Sequence, residues 1–157
     1  MADFEQVWQA ERAVTRIVYE YAARLDLGDL AGVGELFRHG VFRSFDQESG
    51  FEGSAGVASM FRGFVKFYGG SPRTKHVTTN LRIDVDDDAT GATCQSYFTV
   101  LQAVDNELPL QVVIAGRYHD RFERRDGEWF IIERVVYSEL FGDLHAHMRR
   151  SITSIAD

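Results

Sequence analysis

The stretch "RTKHVTTN", residues 73–80, places a histidine, threonines and an asparagine in a run that otherwise reads as a strand. Side chains alternate faces along a strand, so the pattern puts His76, Thr78 and Asn80 on one face and Val77, Leu81 and Ile83 on the other. A histidine is the commonest base at neutral pH, because its ordinary pKa of about 6.5 leaves it ready to accept a proton. A carboxylate on its other ring nitrogen fixes the tautomer and steadies the imidazolium once it forms. The matching acid is Asp26, in "YEYAARLDLGD". There Val18, Ala22 and Leu25 centre an apolar helical stripe, with Tyr21 on one edge and Asp26 on the other.

Taken singly, each residue also has a plainer reading. His76 suits a strand-edge histidine bonded to a hydroxyl, and Asp26 a helix-terminating surface acid. Tyr21 suits a core tyrosine with its hydroxyl at the rim. Arg134, within "WFIIERVVY", suits an ion pair with a neighbouring glutamate on a sheet. Spacing alone does not bring the helix and the strand together.

The elements that must position these groups follow from periodicity. Phe4, Val7, Trp8, Val14, Ile17, Val18, Tyr21 and Leu25 recur at helical spacing and predict a helix over 4–26. "DLGD" breaks it, with Gly28 as C-cap and Asp29 as N-cap of a short second helix. "VFRSF" reads as a short strand. Ser54 is expected to cap a third helix, whose apolar face is Val57, Met60, Phe61, Phe64 and Val65. Four β segments follow, about 74–86, 91–104, 110–124 and 128–140, joined by turn-like "DDDATG", "DNELP" and "RRDGE". Helices followed by a long antiparallel meander make one α+β domain over 1–157, whose curved sheet leaves a concave pocket. The tail from about 143 is expected to be mobile or to lie in an oligomer contact.

Composition narrows the function classes. The chain has 157 residues, 45% of them hydrophobic, with twelve Phe, six Tyr and two Trp, which suits an aromatic core or cavity wall. A net charge of −7 argues against nucleic acid as a partner. One cysteine allows no internal disulfide. The absence of a signal-peptide pattern and of a run of roughly 20 apolar residues suggests a cytoplasmic protein without a membrane partner. "HAHMRR" (145–150) holds an H-x-H pair but no third metal ligand.

"YAARLDLGDLAGVGELF", "RTKHVTTNLRIDV" and "GRYHDRFERRDGEWFIIERVVY" resemble the SnoaL-like branch of the nuclear transport factor 2-like superfamily. The likeness runs over nearly the whole chain. It is carried jointly by Y-x4-D, H-x3-N-L and G-x-Y-x-D-x-[FY]-x-R-x-D-G-x-W, and points to the branch of scytalone dehydratase, bile-acid 7α-dehydratase and lindane dehydrochlorinase. It implies a cystatin-like cone, a catalytic dyad of Asp26 and His76, help from Tyr21, and Arg134 lining the pocket. Thr78 and Asn80 are further candidates for orienting substrate. It also implies no metal or organic cofactor, and a homo-oligomer, trimeric by preference or dimeric. The chemistry implied is dehydration or a related elimination on a cyclic apolar molecule such as a steroid, polyketide or terpenoid. Isomerisation or cyclisation by the same dyad, and a non-catalytic binding cone, stay open as alternatives.

Overall fold

The computed structural model describes residues 1–149. Helix α1 (Phe4–Leu27) opens on a capping box, in which the Asp3 side chain accepts from the Gln6 backbone and the Gln6 side chain accepts in return. It ends at Gly28, whose φ of 78° is left-handed and natural for glycine. Asp29 then caps α2 (Leu30–Leu36) by accepting from the Gly32 N–H. Strand β1 (Val41–Ser44) and the two-residue β2 (Phe51–Glu52) lead into α3 (Gly53–Phe64). Ser54 is not its cap: the helix starts two residues earlier than such a cap would set, behind Glu52, and has no side-chain cap.

Strands β3 (Thr74–Val85), β4 (Gly91–Val104), β5 (Leu108–Arg125) and β6 (Glu128–Phe141) follow the expected segments closely. The sheet order is β2-β1-β6-β5-β4-β3, antiparallel throughout except for β1 beside β6. The Asp126-Gly127 turn has positive φ at both residues, which matches the twist of a tight hairpin. Alternation is clean on β4, where Ala92, Cys94, Ser96, Phe98, Val100, Gln102 and Val104 all face inward. Together with Val14, Val18, Tyr21 and Leu25 of α1 and Phe37, Val57 and Phe61 of the other helices, this face forms a single core. The result is the α+β architecture of an open, curved six-stranded sheet with three helices. Bulges on β3, β5 and β6 help to bend it, since each inserts a residue on one strand only.

One bulge reverses a sequence expectation. Between Thr79 and Arg82 the register slips, and Asn80 sits at φ 55°. Asn80 is therefore exposed, while Leu81, Ile83 and Val85 join His76 and Thr78 on the inner side. The strict alternation that grouped Asn80 with His76 fails at this residue. Asparagine is one of the few non-glycine residues that tolerate the left-handed region, which is the physical reason the slip occurs there. No helix among the described residues is long and apolar enough to cross a membrane.

Candidate active site

Asp26 lies in the last turn of α1, just before the Gly28 cap, and its carboxylate meets the start of β3. The Thr74 hydroxyl donates to Oδ1 at 2.8 Å and the His76 backbone N–H donates to Oδ2 at 2.8 Å. The His76 ring Nδ1 lies 2.6 Å from Oδ1. Both side chains are almost enclosed, His76 at 8% and Asp26 at 11% exposure. Burial works against the Asp26 charge, but the bonds from His76 and Thr74 and the histidine's attraction outweigh it and hold the carboxyl below its ordinary pKa. An ionised carboxylate only accepts hydrogen bonds, so the ring hydrogen belongs on Nδ1. Nε2 is left with a free lone pair, the arrangement of a general base.

A second polar group fills the middle of the cone. Arg134 on β6 stands directly opposite Asp120 on β5 and forks onto it, with Nε donating to Oδ1 at 2.8 Å and Nη2 to Oδ2 at 2.7 Å. Both are fully buried. The guanidinium sits in the corner of two nearly perpendicular rings, 4.2 Å from the Tyr21 ring centroid and 4.0 Å from that of Tyr118. Burial opposes the Arg134 charge, yet Asp120 raises its pKa further, so it stays protonated. Burial also raises both tyrosines, and Tyr118 far above its usual range, so both hydroxyls stay protonated as donors. The Arg134 Nη1 is buried without a partner among the described residues.

The helix links the two groups. Tyr21 precedes Asp26 by five positions, about 7.5 Å along the axis, so Arg134, which lies over the Tyr21 ring, belongs to a separate stretch of α1 and is more completely buried than the dyad. Of the residues singled out from sequence, Asp26 and His76 are in direct contact, and Tyr21 and Arg134 form the inner group. Thr78 is half-buried on the face of His76, and Asn80 is on the other. Arg134 pairs with Asp120 rather than with a glutamate, because the register sets these two opposite. Grooves of about 550 and 410 Å³ lie elsewhere, the first lined by Gly28, Arg62, Phe67 and Arg149 among others, the second by Arg38, His39 and Glu52 among others. Neither includes the dyad, Tyr21 or Arg134, so the wide apolar cavity expected around them is not among these spaces.

Thr74, Tyr118 and Asp120 escaped assignment by sequence, though a signal existed. Thr74 is two residues before His76 on the same face. "YHDRF" sets Tyr118, Asp120 and Phe122 on one face, and an acid on an apolar face requires a partner. His147 is a fourth residue not assigned to the site, considered from sequence only as half of the H-x-H pair. The H-x-H pair does not converge: His145 is exposed and bonded to Asp143 at 2.7 Å, whereas the Nδ1 of His147 is buried.

Residues 6–135 match the SnoaL-like domain, and the chain belongs to that family. No curated protein matches the sequence significantly. Among solved structures, a scytalone dehydratase candidate from Novosphingobium aromaticivorans superposes with a TM-score of 0.73 at 22% identity, covering 98% of this chain and 100% of that one. A hexachlorocyclohexane dehydrochlorinase from Novosphingobium barchaimii gives 0.70 at 16% identity, over 89% and 93% of the two chains. A nuclear transport factor 2-like protein with a cystatin-like fold, also from N. aromaticivorans, gives 0.68 at 16% over 87% and 90%. At these identities the likeness is one of fold.

Proposed function

We propose that the protein is a cofactor-independent lyase that eliminates water, or a related leaving group, from a cyclic apolar small molecule such as a steroid, polyketide or terpenoid. The observation that carries the reading is the 2.6 Å contact between His76 Nδ1 and Asp26, with Thr74 and the His76 amide fixing the same carboxylate. A buried histidine oriented by a carboxylate that itself carries three bonds is costly to build and serves no packing need. The structural neighbours named as dehydratase and dehydrochlorinase support elimination over other chemistry on this fold.

In the proposed step, His76 Nε2 takes a proton from carbon. The C–H electrons form the new double bond, and the leaving group departs with its bonding pair as hydroxide or halide. The imidazolium then returns its proton, so the products are an alkene and water or acid. Asp26 stabilises the transient imidazolium and holds the tautomer. Arg134, already neutralised by Asp120, offers Nη1 as a fixed donor, and with Tyr21 it would bind a substrate oxygen as charge develops there. Thr78 would border the substrate. Acid–base help of this kind is typically worth about 10²–10⁴-fold.

The reading includes a homo-oligomer, trimeric by preference, closed through the outer face of the sheet, where Val77, Tyr97, Val112 and Leu140 are exposed. A cytoplasmic setting suits the single, unpaired Cys94. The test is turnover of a panel of cyclic β-hydroxyketones and cyclic halides, followed by appearance of the alkene. Loss of a leaving group in wild type but not in His76→Ala supports elimination. Wild-type rates no higher than buffer across the panel would count against it.

A further inference from the structure

After β6 the chain turns back across the helical end of the cone as a strap, residues 142–149. It is firmly tied. Gly142 N–H donates to the Val113 carbonyl, and Arg149 N–H to that of Phe64, each at 2.8 Å. Met148 bridges Val65, and the Arg149 Nε donates to the Val65 carbonyl at 2.8 Å. The carbonyl of the fully buried Ala146 accepts from the Tyr68 hydroxyl at 2.8 Å and from Gln102 Nε2 at 3.1 Å. Gln102 stands opposite Thr74, the residue that donates to Asp26. The strap is thereby pinned beside the root of β3, and the residue after Ala146 is His147.

The His147 ring has a buried Nδ1 without a partner among the described residues. Burial and then the adjacent charge of His76 hold its pKa at about 4, so it is uncharged near neutrality. A buried ring nitrogen left unpaired is unfavourable, and native structures reserve such groups for a reason. No bond among the described residues explains this one. The charge of His76 reaches it, and the bond from Gln102 to the neighbouring Ala146 carbonyl sets this part of the strap beside the root of β3.

We propose that His147 is a further substrate-contacting residue: a neutral imidazole on the strap that hydrogen-bonds the polar group next to the carbon facing His76. The inference rests on the elimination reading and adds a group that the helices and sheet do not supply. An imidazole held uncharged does not deliver a proton as an acid at neutral pH, so its contribution is a hydrogen bond. Neutrality also suits the position, because a second cation would oppose the imidazolium that His76 becomes.

The test uses the full chain, with 15N-resolved ring signals of the histidines followed while 2-decalone, an apolar bicyclic ketone, is titrated. Wild type should show both His76 and His147 signals moving with one Kd. His147→Phe should weaken binding about 3–10-fold, and His147→Gln, which keeps a donor, should recover most of it. Thermal melts check that the variants fold, and the wild-type ring shifts need no variant at all. If decalone moves His76 but not His147, and His147→Phe binds as tightly as wild type, the inference falls while the elimination reading survives. If neither ring responds, both fall.

Discussion

The Asp26 carboxylate accepts three hydrogen bonds from one short stretch of strand, and this count explains why two unremarkable residue types become a unit. The contact between Asp26 and His76 was expected from the family resemblance that Y-x4-D and H-x3-N-L help to carry, since spacing alone does not bring helix and strand together. Of the inner group Tyr21 and Arg134 were singled out as well, but Asp120 was not, because it meets Arg134 only through a cross-strand register. Removing one partner of that buried pair leaves the other charge stranded. We expect Asp120→Ala to lower stability by about 3–5 kcal/mol, which a melt would read as a fall in Tm of roughly 10 °C at this chain length. A fall of only a degree or two would mean that Arg134 finds solvent. Cys94 is a second residue-scale case. Burial, and then the Asp120 charge, push its thiol up to about 12. Iodoacetamide at pH 8 should leave it unmodified in the folded protein and alkylate it promptly in denaturant.

Helices and strands were readable from apolar spacing because each buries one side: the α1 stripe and the β4 alternation both match their burial. The bulges were not readable, because a slip of one residue leaves the composition of a strand unchanged. Asn80 shows the consequence, since the slip moves three aliphatic residues inward and Asn80 outward. Its φ of 55° makes a specific test. Asn80→Gly should be near neutral, whereas Asn80→Val should cost about 1–3 kcal/mol, because a β-branched residue is strained in the left-handed region. Urea melts of the two variants settle it. Equal midpoints would mean that the bulge relaxes or relocates.

Across the whole molecule, acid should weaken the fold before it unfolds surface elements. An unfolded His147 takes up its proton near pH 6.5, whereas the folded one does so only near 4. Its contribution is therefore complete above about pH 6.5 and lost as the pH falls toward 4, on the order of 1–3 kcal/mol. Asp26, held below its ordinary value of 3.8, adds a further loss as the pH falls through its lowered value. Chemical denaturation at pH 7 and pH 5 should show this decline in wild type and a flatter profile in His147→Gln. Assembly acts at the same scale. Val77, Tyr97, Val112 and Leu140 lie exposed on the outer face of the sheet. Light scattering at micromolar concentration should report a trimer that Val112→Arg dissociates. A wild-type monomer would leave that face without its proposed cover.

The central claim is that His76 removes a proton from carbon under the control of Asp26, and solvent exchange measures that step without waiting for a leaving group. A cyclic β-hydroxyketone is incubated with the protein in D2O, and loss of the α-proton signal is followed by proton NMR. Wild type should exchange the α-proton or go on to the enone well above the buffer rate. His76→Ala should fall to that background, and Asp26→Asn should lose about 10²–10⁴-fold in kcat with a modest change in KM. Exchange at the wild-type rate in His76→Ala, or a ligand that binds beside His76 with no exchange in wild type, would contradict the account.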